Sequence, residues 1–365
     1  MRRACATSAG RQATIARMFV PRSLFSRGRA QIAAAISTLA PPVSRPAHQR
    51  SAALAEAMPT PGRAVVERID AADGLAGLSA HSVDLVCTSP PYWGLRTYDQ
   101  EHDDQVLCAW QQHNGDGRAC PPYDWYRRHG GVLGLEPYPD WYVAHLVEVF
   151  AAARTALKPD ANLWINLGDT YFGRWSSIRP NGRQGLGADG RQRRRTPSGG
   201  WLHDKQMLMI PARFAIAMQE AGWILRNDLI WAKPHVAPRP ERDRLRLSHE
   251  HFFHFVQRTK GGRPSYFYEL DEVEERALDV VSVQPRSVGN GHPATFPHEL
   301  IQPRIASSCP PNGTVCDPFC GSGTTLTAAV SLGRAAIGFD VSATYVALTA
   351  RYLADMDAVH MTAVA

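Results

Sequence analysis

Four consecutive residues, Ser89-Pro90-Pro91-Tyr92, form the first pattern in this chain that could do chemistry. They offer a hydroxyl, main-chain carbonyls outside any helix or strand ladder, and an aromatic ring. Two prolines in a row cannot extend a ladder, and each keeps the residue before it out of the helical region, so the loop is extended and stiff. Such a set suits the amino group of a nucleobase. That nitrogen is a poor nucleophile because its lone pair is delocalised into the ring. A hydroxyl and a carbonyl accepting its two N–H bonds return density to it and aim it, while a ring holds the extruded base flat. Taken alone, the four residues also read as a proline-rich turn after a strand.

A second pattern lies near the other end, Val315-Cys316-Asp317-Pro318-Phe319-Cys320-Gly321-Ser322-Gly323-Thr324-Thr325. It reads as a strand end, a glycine-rich turn and a helix start. Gly321 and Gly323 let the main chain turn tightly and approach a ligand. Ser322, Thr324 and Thr325 open a helix whose first N–H groups favour an anion. No Gly-Lys-Ser/Thr is present, so a P-loop is excluded.

Together the two stretches resemble the amino-methylating DNA methyltransferases that use S-adenosylmethionine. Their catalytic motif is D/N/S-P-P-Y/F/W and their cofactor motif is D-P-F-x-G-S-G-T-T. The catalytic motif comes first here, which is the order of that family's permuted beta class. The resemblance runs from about Asp70 to about Leu353. It implies an α/β fold: a Rossmann-like, doubly wound, mostly parallel sheet of the class I methyltransferase type, circularly permuted and carrying loop insertions. It also implies that Ser89, Pro90, Pro91 and Tyr92 are catalytic. Ser89 and a carbonyl at Pro90 would hold the amino group, and Tyr92 would stack on the base. The Ser-Pro-Pro-Tyr form is associated with cytosine N4, whereas adenine N6 enzymes more often begin with Asp or Asn. Adenine N6 therefore stands as the alternative, and a non-catalytic nucleic-acid-binding protein of the same fold as a second one. RNA stays open as a substrate.

The cofactor residues follow from the same resemblance. Asp317 would meet the cofactor's ammonium, Phe319 would lie against it, and Gly321, Gly323 and Thr324 would admit its carboxylate end. Asp340, at the tip of the strand Ala335–Phe339, fits ribose hydroxyls. Asp70 occupies the place of the family's adenine-side acid, with Ile69 where a glycine is usual. Asp70 also reads as a helix N-cap. A Gly291-to-Pro297 segment resembles the family's His-Pro-Ala-x-Phe-Pro beside the methionine end of the cofactor.

Other elements must position these loops. Val83–Cys87 is an apolar run that leads into the catalytic loop, and Val65–Asp70 precedes it as a strand ending in an acid. Apolar residues recur at helical spacing from Trp141 to Leu157, and Lys158-Pro159 ends that helix. Leu163–Leu167, Trp223–Trp231 and Glu250–Val256 read as strands, and Ile210-Pro211 starts a helix. This βα alternation suits a doubly wound sheet. Two insertions interrupt it: an irregular stretch at about 99–139, and an arginine- and glycine-dense stretch at 174–200 expected as a solvated loop.

Charge separates the chain into parts. The net charge is +6, yet residues 1–58 hold nine arginines, no lysine and one acid, Glu56, or about +8. Subtraction leaves the remainder at about −2, so the basic pI belongs to the leader. That leader, residues 1–60, reads as a disordered basic arm, a transit peptide or an upstream start. Residues 61–356 read as the methyltransferase domain and 357–365 as a tail. Within the domain, seven arginines and one acid between Arg174 and Arg195 make that insertion the candidate phosphate contact. Arg174, Arg183, Arg191, Arg193, Arg194 and Arg195 are the expected DNA-binding residues.

The expected partner is double-stranded DNA with a flipped base, and a cognate restriction endonuclease is a possible second partner. The seven scattered cysteines suggest a reducing compartment. The expected location is cytoplasmic and nucleoid-associated, with organelle import as the alternative. No apolar run is long enough to span a membrane. Cys108 and Cys120 lack the close pairing of a zinc site, and the histidines from His203 to His298 lack ligand spacing, so no metal is expected.

Overall fold

The computed structural model describes residues 58–94, 100–173, 175–178, 184–185, 192–195, 200–236, 242–258, 261–272, 278–285 and 297–356. Their strands are β1 (Ala64–Arg68), β2 (Val83–Thr88), β3 (Leu157–Leu167), β4 (Trp175–Ile178), β5 (Gln184–Gly185), β6 (Gln192–Arg195), β7 (Trp223–Ala232), β8 (His249–Gln257), β9 (Val280–Ser282), β10 (Thr314–Asp317) and β11 (Ala335–Asp340). Their helices are α1 (Ala71–Gly77), α2 (Val106–Asn114), α3 (Tyr123–Arg128), α4 (Pro139–Ala156), α5 (Ile210–Glu220), α6 (His298–Ser308), α7 (Thr324–Ser331) and α8 (Ala343–Asp355).

One eight-stranded sheet organises them, in the order β1-β11-β10-β2-β3-β8-β7-β9. Neighbours from β1 to β3 are parallel. β8 runs against both β3 and β7, and β9 is parallel to β7. The short β9 thus adds an edge to the seven strands that the fold class implies.

Each face of the sheet carries its own apolar layer. Leu163, Ile165, Leu167, Phe253 and Phe255 pack with α1, α4 and α5. Trp164, Leu85, Cys87 and Phe252 pack with α6 and α7. Alternation along β3 sends neighbours to opposite layers, as the period of a strand demands. β2 is buried at every position, which suits a central parallel strand covered on both faces. Its one acid, Asp84, is matched: Lys158 Nζ donates at 2.7 Å and the Thr314 N–H at 2.8 Å.

Three expectations change. Part of the stretch expected to be irregular forms α2 and α3. Each helix buries only two large side chains, Val106 with Trp110 and Tyr123 with Tyr126. That is too few to give a visible apolar stripe. β3 begins at Leu157, before Lys158-Pro159, because Leu157 already pairs with Val83 ahead of a register shift. The arginine-dense insertion contributes a separate antiparallel sheet, β5-β4-β6.

Arg193, Arg194 and Arg195 fall in β6, described for backbone only; Arg174, Arg183 and Arg191 lie outside the described residues. So do residues 1–57, 291–296 and 357–365. Among the described residues no helix is long and apolar enough to cross a membrane.

Candidate functional site

The strand order brings the two sequence patterns to one edge. β1, β11, β10 and β2 are adjacent and parallel, so their carboxyl ends lie side by side. Asp70 follows β1, Asp340 ends β11, Asp317 ends β10, and Ser89 follows β2. β3 continues the row with Asn166 near its end. Because β8 is reversed, its beginning reaches the same edge, where Glu250 pairs with Trp231 beside Lys233. In open α/β sheets this edge is where ligands bind.

The half around Asp317 is a turn held by main-chain donors. Asp317 Oδ1 accepts the Phe319 N–H at 3.0 Å. The Gly321 N–H donates to Asp340 Oδ2 at 3.0 Å, and the Ser342 N–H to Asp340 Oδ1 at 2.8 Å. Thr349 Oγ1 donates to the Gly321 carbonyl at 2.8 Å. Gly323 starts α7 at φ 82°, and a Cβ there would come within 2.6 Å of Thr349 Cγ2. Only glycine fits both restrictions.

Asp317 is 2% exposed. Burial pushes its carboxyl up to about 6, against the hydrogen bonds that favour the ionised form. Phe319 packs edge-on to Phe150 with ring centroids 6.4 Å apart.

Asp70 is the N-cap of α1, accepting the Ala72 N–H at 2.9 Å. Its other oxygen accepts from Tyr123 Oη at 2.8 Å, and Arg127 Nη1 stands 3.6 Å from the carboxylate. The capping alternative is therefore realised, and the first insertion docks on this acid through α3. Arg127 also grips Asp73 with both amino nitrogens, at 2.5 and 2.7 Å.

The half around Ser89 is held by side chains. Ser89 Oγ donates to Tyr92 Oη at 3.3 Å, and Tyr92 Oη donates to Glu250 Oε2 at 2.8 Å. Asn166 Nδ2 donates to Tyr92 Oη at 2.6 Å and to Glu250 Oε2 at 2.8 Å. Lys233 Nζ donates to Glu250 Oε1 and sits 4.3 Å from the centroid of the Trp231 ring.

The loop expected to offer proline carbonyls keeps one engaged: Tyr142 Oη donates to the Pro91 carbonyl at 2.6 Å. Beyond it, Trp93 Nε1 donates to the Glu136 carbonyl at 3.0 Å and the Gly94 N–H to the Gly134 carbonyl at 2.7 Å.

Beneath this lip lies a buried ion pair, His145 Nδ1 to Glu136 Oε1 at 3.0 Å. Burial opposes the charge on His145. Contacts with Cys120 and Glu136 outweigh it and raise its pKa well above the usual value. Glu136 Oε2 also takes the Gly134 N–H at 2.8 Å, so the pair fixes the segment against which the catalytic loop rests.

One bond joins the halves. Thr88 Oγ1, just before Ser89, donates to Asp317 Oδ1 at 2.5 Å. The sequence alone assigns no role to Asn166, Glu250, Lys233, Tyr142 and Gly168; the strands near Lys233 and Glu250 read as sheet core. The one available hint is an acid near the start of the strand His249–Gln257, ahead of its apolar stretch Phe252-Phe253.

Comparison with known proteins fits this geometry. A family model described as DNA methylase, for the N6/N4 methyltransferases, matches residues 83–351. The type II methyltransferase M.SmaI of Serratia marcescens is 32% identical over 289 residues, covering 76% of this chain and 87% of that protein. The type II methyltransferase M.Cfr9I of Citrobacter freundii is 32% identical over 296 residues, covering 79% and 87%. Among solved structures, PvuII DNA methyltransferase (cytosine-N4-specific) shares the fold, with a TM-score of 0.55, 20% identity, and coverage of 82% of this chain and 94% of that one. The chain belongs to the N6/N4 DNA methylase family and is a type II DNA methyltransferase.

Proposed function

We propose that this protein transfers a methyl group from S-adenosylmethionine to the exocyclic N4 of a cytosine flipped out of duplex DNA, as the modification partner of a restriction endonuclease. One observation carries the reading: the Ser89–Tyr92 loop and the Asp317–Thr325 turn lie on adjacent strands and are joined by the Thr88–Asp317 bond.

The residues present fit the cofactor. Asp317 is a buried acid beside a glycine turn, suited to an ammonium. The amino end of α7 suits a carboxylate. Asp340 is an acid at the tip of the neighbouring strand, suited to ribose hydroxyls. Asp70 stands next in the row, at the adenine side. When bound, the cofactor would supply an electrophilic methyl on a sulfonium; the S–C bond breaks to leave a neutral thioether that needs no acid, and the methylated amine gives up one proton to water.

The chain's own work is positioning. Ser89 Oγ and the Pro90 carbonyl accept the two N–H bonds of the amino group and aim its lone pair. The ring of Tyr92 stacks on the base and offsets part of the few kcal/mol that flipping costs. The arginines of the insertion, Arg174, Arg183, Arg191, Arg193, Arg194 and Arg195, hold phosphates. That assignment rests on their charge alone, in a domain that is otherwise slightly acidic.

Cytosine is favoured over adenine by the serine that opens the motif. Mass spectrometry of nucleosides from DNA incubated with protein and methyl-labelled cofactor tests the reading. N4-methylcytosine is the expected product. N6-methyladenine would overturn the base assignment, and no label in varied DNA would overturn the substrate.

A further inference from the structure

We propose that Glu250 is a positioning residue: acting through Tyr92, it fixes the direction of the Ser89 hydroxyl and makes Ser89 an acceptor toward the target base. This rests on the amino-group reading above. Every group recorded at the Glu250 carboxylate is a donor. Lys233 reaches Oε1, and Asn166 Nδ2 and Tyr92 Oη each reach Oε2 at 2.8 Å. An ionised carboxylate only accepts. The single hydroxyl proton of Tyr92 is therefore directed to Glu250. Its oxygen is left to accept, and it does so from Asn166 at 2.6 Å and from Ser89 at 3.3 Å. The proton of Ser89 is thereby committed to Tyr92, and only its lone pairs face a ligand.

That polarity is a specificity device. Lone pairs welcome the N–H of an exocyclic amino group. They repel a ring keto oxygen or an unprotonated ring nitrogen, which would need a donor there. A site built on one hydrogen-bonding sense rejects the opposite sense strongly, because a buried polar group is otherwise left unpaired.

The network also goes beyond stacking. The family motif admits Phe or Trp at the place of Tyr92, so a ring alone meets the general need. The hydroxyl chain needs the tyrosine that this protein carries. Gly168 makes room for it: a Cβ there would lie 2.7 Å from Tyr92 Cε2 and 3.3 Å from Glu250 Cγ, with a backbone outside the left-handed region.

Two isosteric changes test the assignment. Glu250→Gln keeps the shape but places an N–H where every neighbour donates. Tyr92→Phe keeps the ring and removes one oxygen. Each is expected to lower kcat about tenfold or more, the scale of a charge-assisted hydrogen bond. KM for DNA and the affinity for S-adenosylmethionine should stay within about threefold. The double variant should be no worse than the poorer single one, because both break the same chain. Gly168→Ala, which alters no hydrogen-bonding group, should lower kcat in the same sense.

Losses within twofold for both isosteric variants, losses that multiply in the double variant, or losses confined to KM would each overturn the assignment. Thermal unfolding checks every variant, and if Glu250→Gln does not fold, Tyr92→Phe decides alone. Rates are read on whichever amino group the wild type methylates. A wild type that makes no methylated base overturns the functional reading itself. A working wild type with indifferent variants overturns only the role of Glu250.

Discussion

Around Asp317 and Asp340 the working edge is held by the main chain; around Tyr92 it is held by side chains. Apart from the Thr88 bond, the first half closes its bonds within residues 317–349: main-chain N–H of Phe319 to Asp317 and of Gly321 and Ser342 to Asp340, with the Thr349 hydroxyl on the Gly321 carbonyl. The second half spans Tyr92, Asn166, Lys233 and Glu250, drawn from four separate strand ends. Main-chain donors survive most substitutions, so the first half should weaken piecemeal. A closed side-chain network shares its donors and acceptors, so the second half should fail as a unit.

The largest expected effect falls on the second half. Ser89→Ala should lower kcat about 100-fold, on the scale of losing one preorganised polar contact to the reacting group, while calorimetry shows unchanged cofactor binding. A matching loss of cofactor affinity would break the division between halves. Next, Asp317→Asn should weaken cofactor binding about 10- to 100-fold, the scale of a charge-assisted hydrogen bond, and leave much of kcat at saturating cofactor. Because Asp317 also receives the Thr88 hydroxyl, any residual fall in kcat measures how far the halves communicate.

The pH dependence sharpens the same point. Burial raises the folded pKa of Asp317 to about 6 from its ordinary value of 3.8. The folded chain therefore holds this proton where the unfolded chain has released it. By itself the group's stability contribution is fully present below about 3.8 and is lost as pH rises through about 6. Cofactor binding has the opposite sign, since an ammonium needs the ionised acid. Affinity should rise roughly tenfold from pH 5 to a plateau reached about one unit above the pKa of about 6, by calorimetry across that range. Asp317→Asn should flatten the profile.

A smaller effect is expected of Gly323→Ala. The left-handed backbone and the approach of Thr349 should cost about 1–3 kcal/mol in denaturant unfolding. The smallest is Tyr123→Phe. It removes one bond to Asp70 but leaves the Ala72 cap and Arg127, and should change cofactor affinity less than about threefold.

This contrast also explains what could be read from the sequence. The Asp317 turn was legible because glycines, acid and helix start are contiguous, and the strand carrying Asp340 follows at once. The sheet was legible from the apolar stretches Val83–Cys87, Leu163–Leu167, Trp223–Leu225 with Leu229–Trp231, and Phe252–Val256, even though polar residues interrupt these strands. Asn166 and Glu250 were not legible. Each is an ordinary polar residue at a strand end, and its partner lies 74 or 158 positions from it in the chain. Helix α3 was hidden for a related reason: polar pairings such as Tyr123–Asp70 and Arg127–Asp73 anchor it, and α2 buries only Val106 and Trp110. No local period announces such pairings.

The reversed direction of β8 has a further consequence. β7 ends, and β8 begins, on the edge that holds the site, so residues 233–248 leave from that edge and return to it. In a wholly parallel arrangement the same connection would travel to the far side of the sheet. Here Lys205 Nζ meets Asp243 at 2.5 Å, and the Arg244 guanidinium lies 3.7 Å from the centroid of the Tyr171 ring. Both contacts tie the described residues 242–248 to the segment between β3 and α5. A connection that leaves and returns on one edge crosses no strand, so its length can change without shifting the sheet.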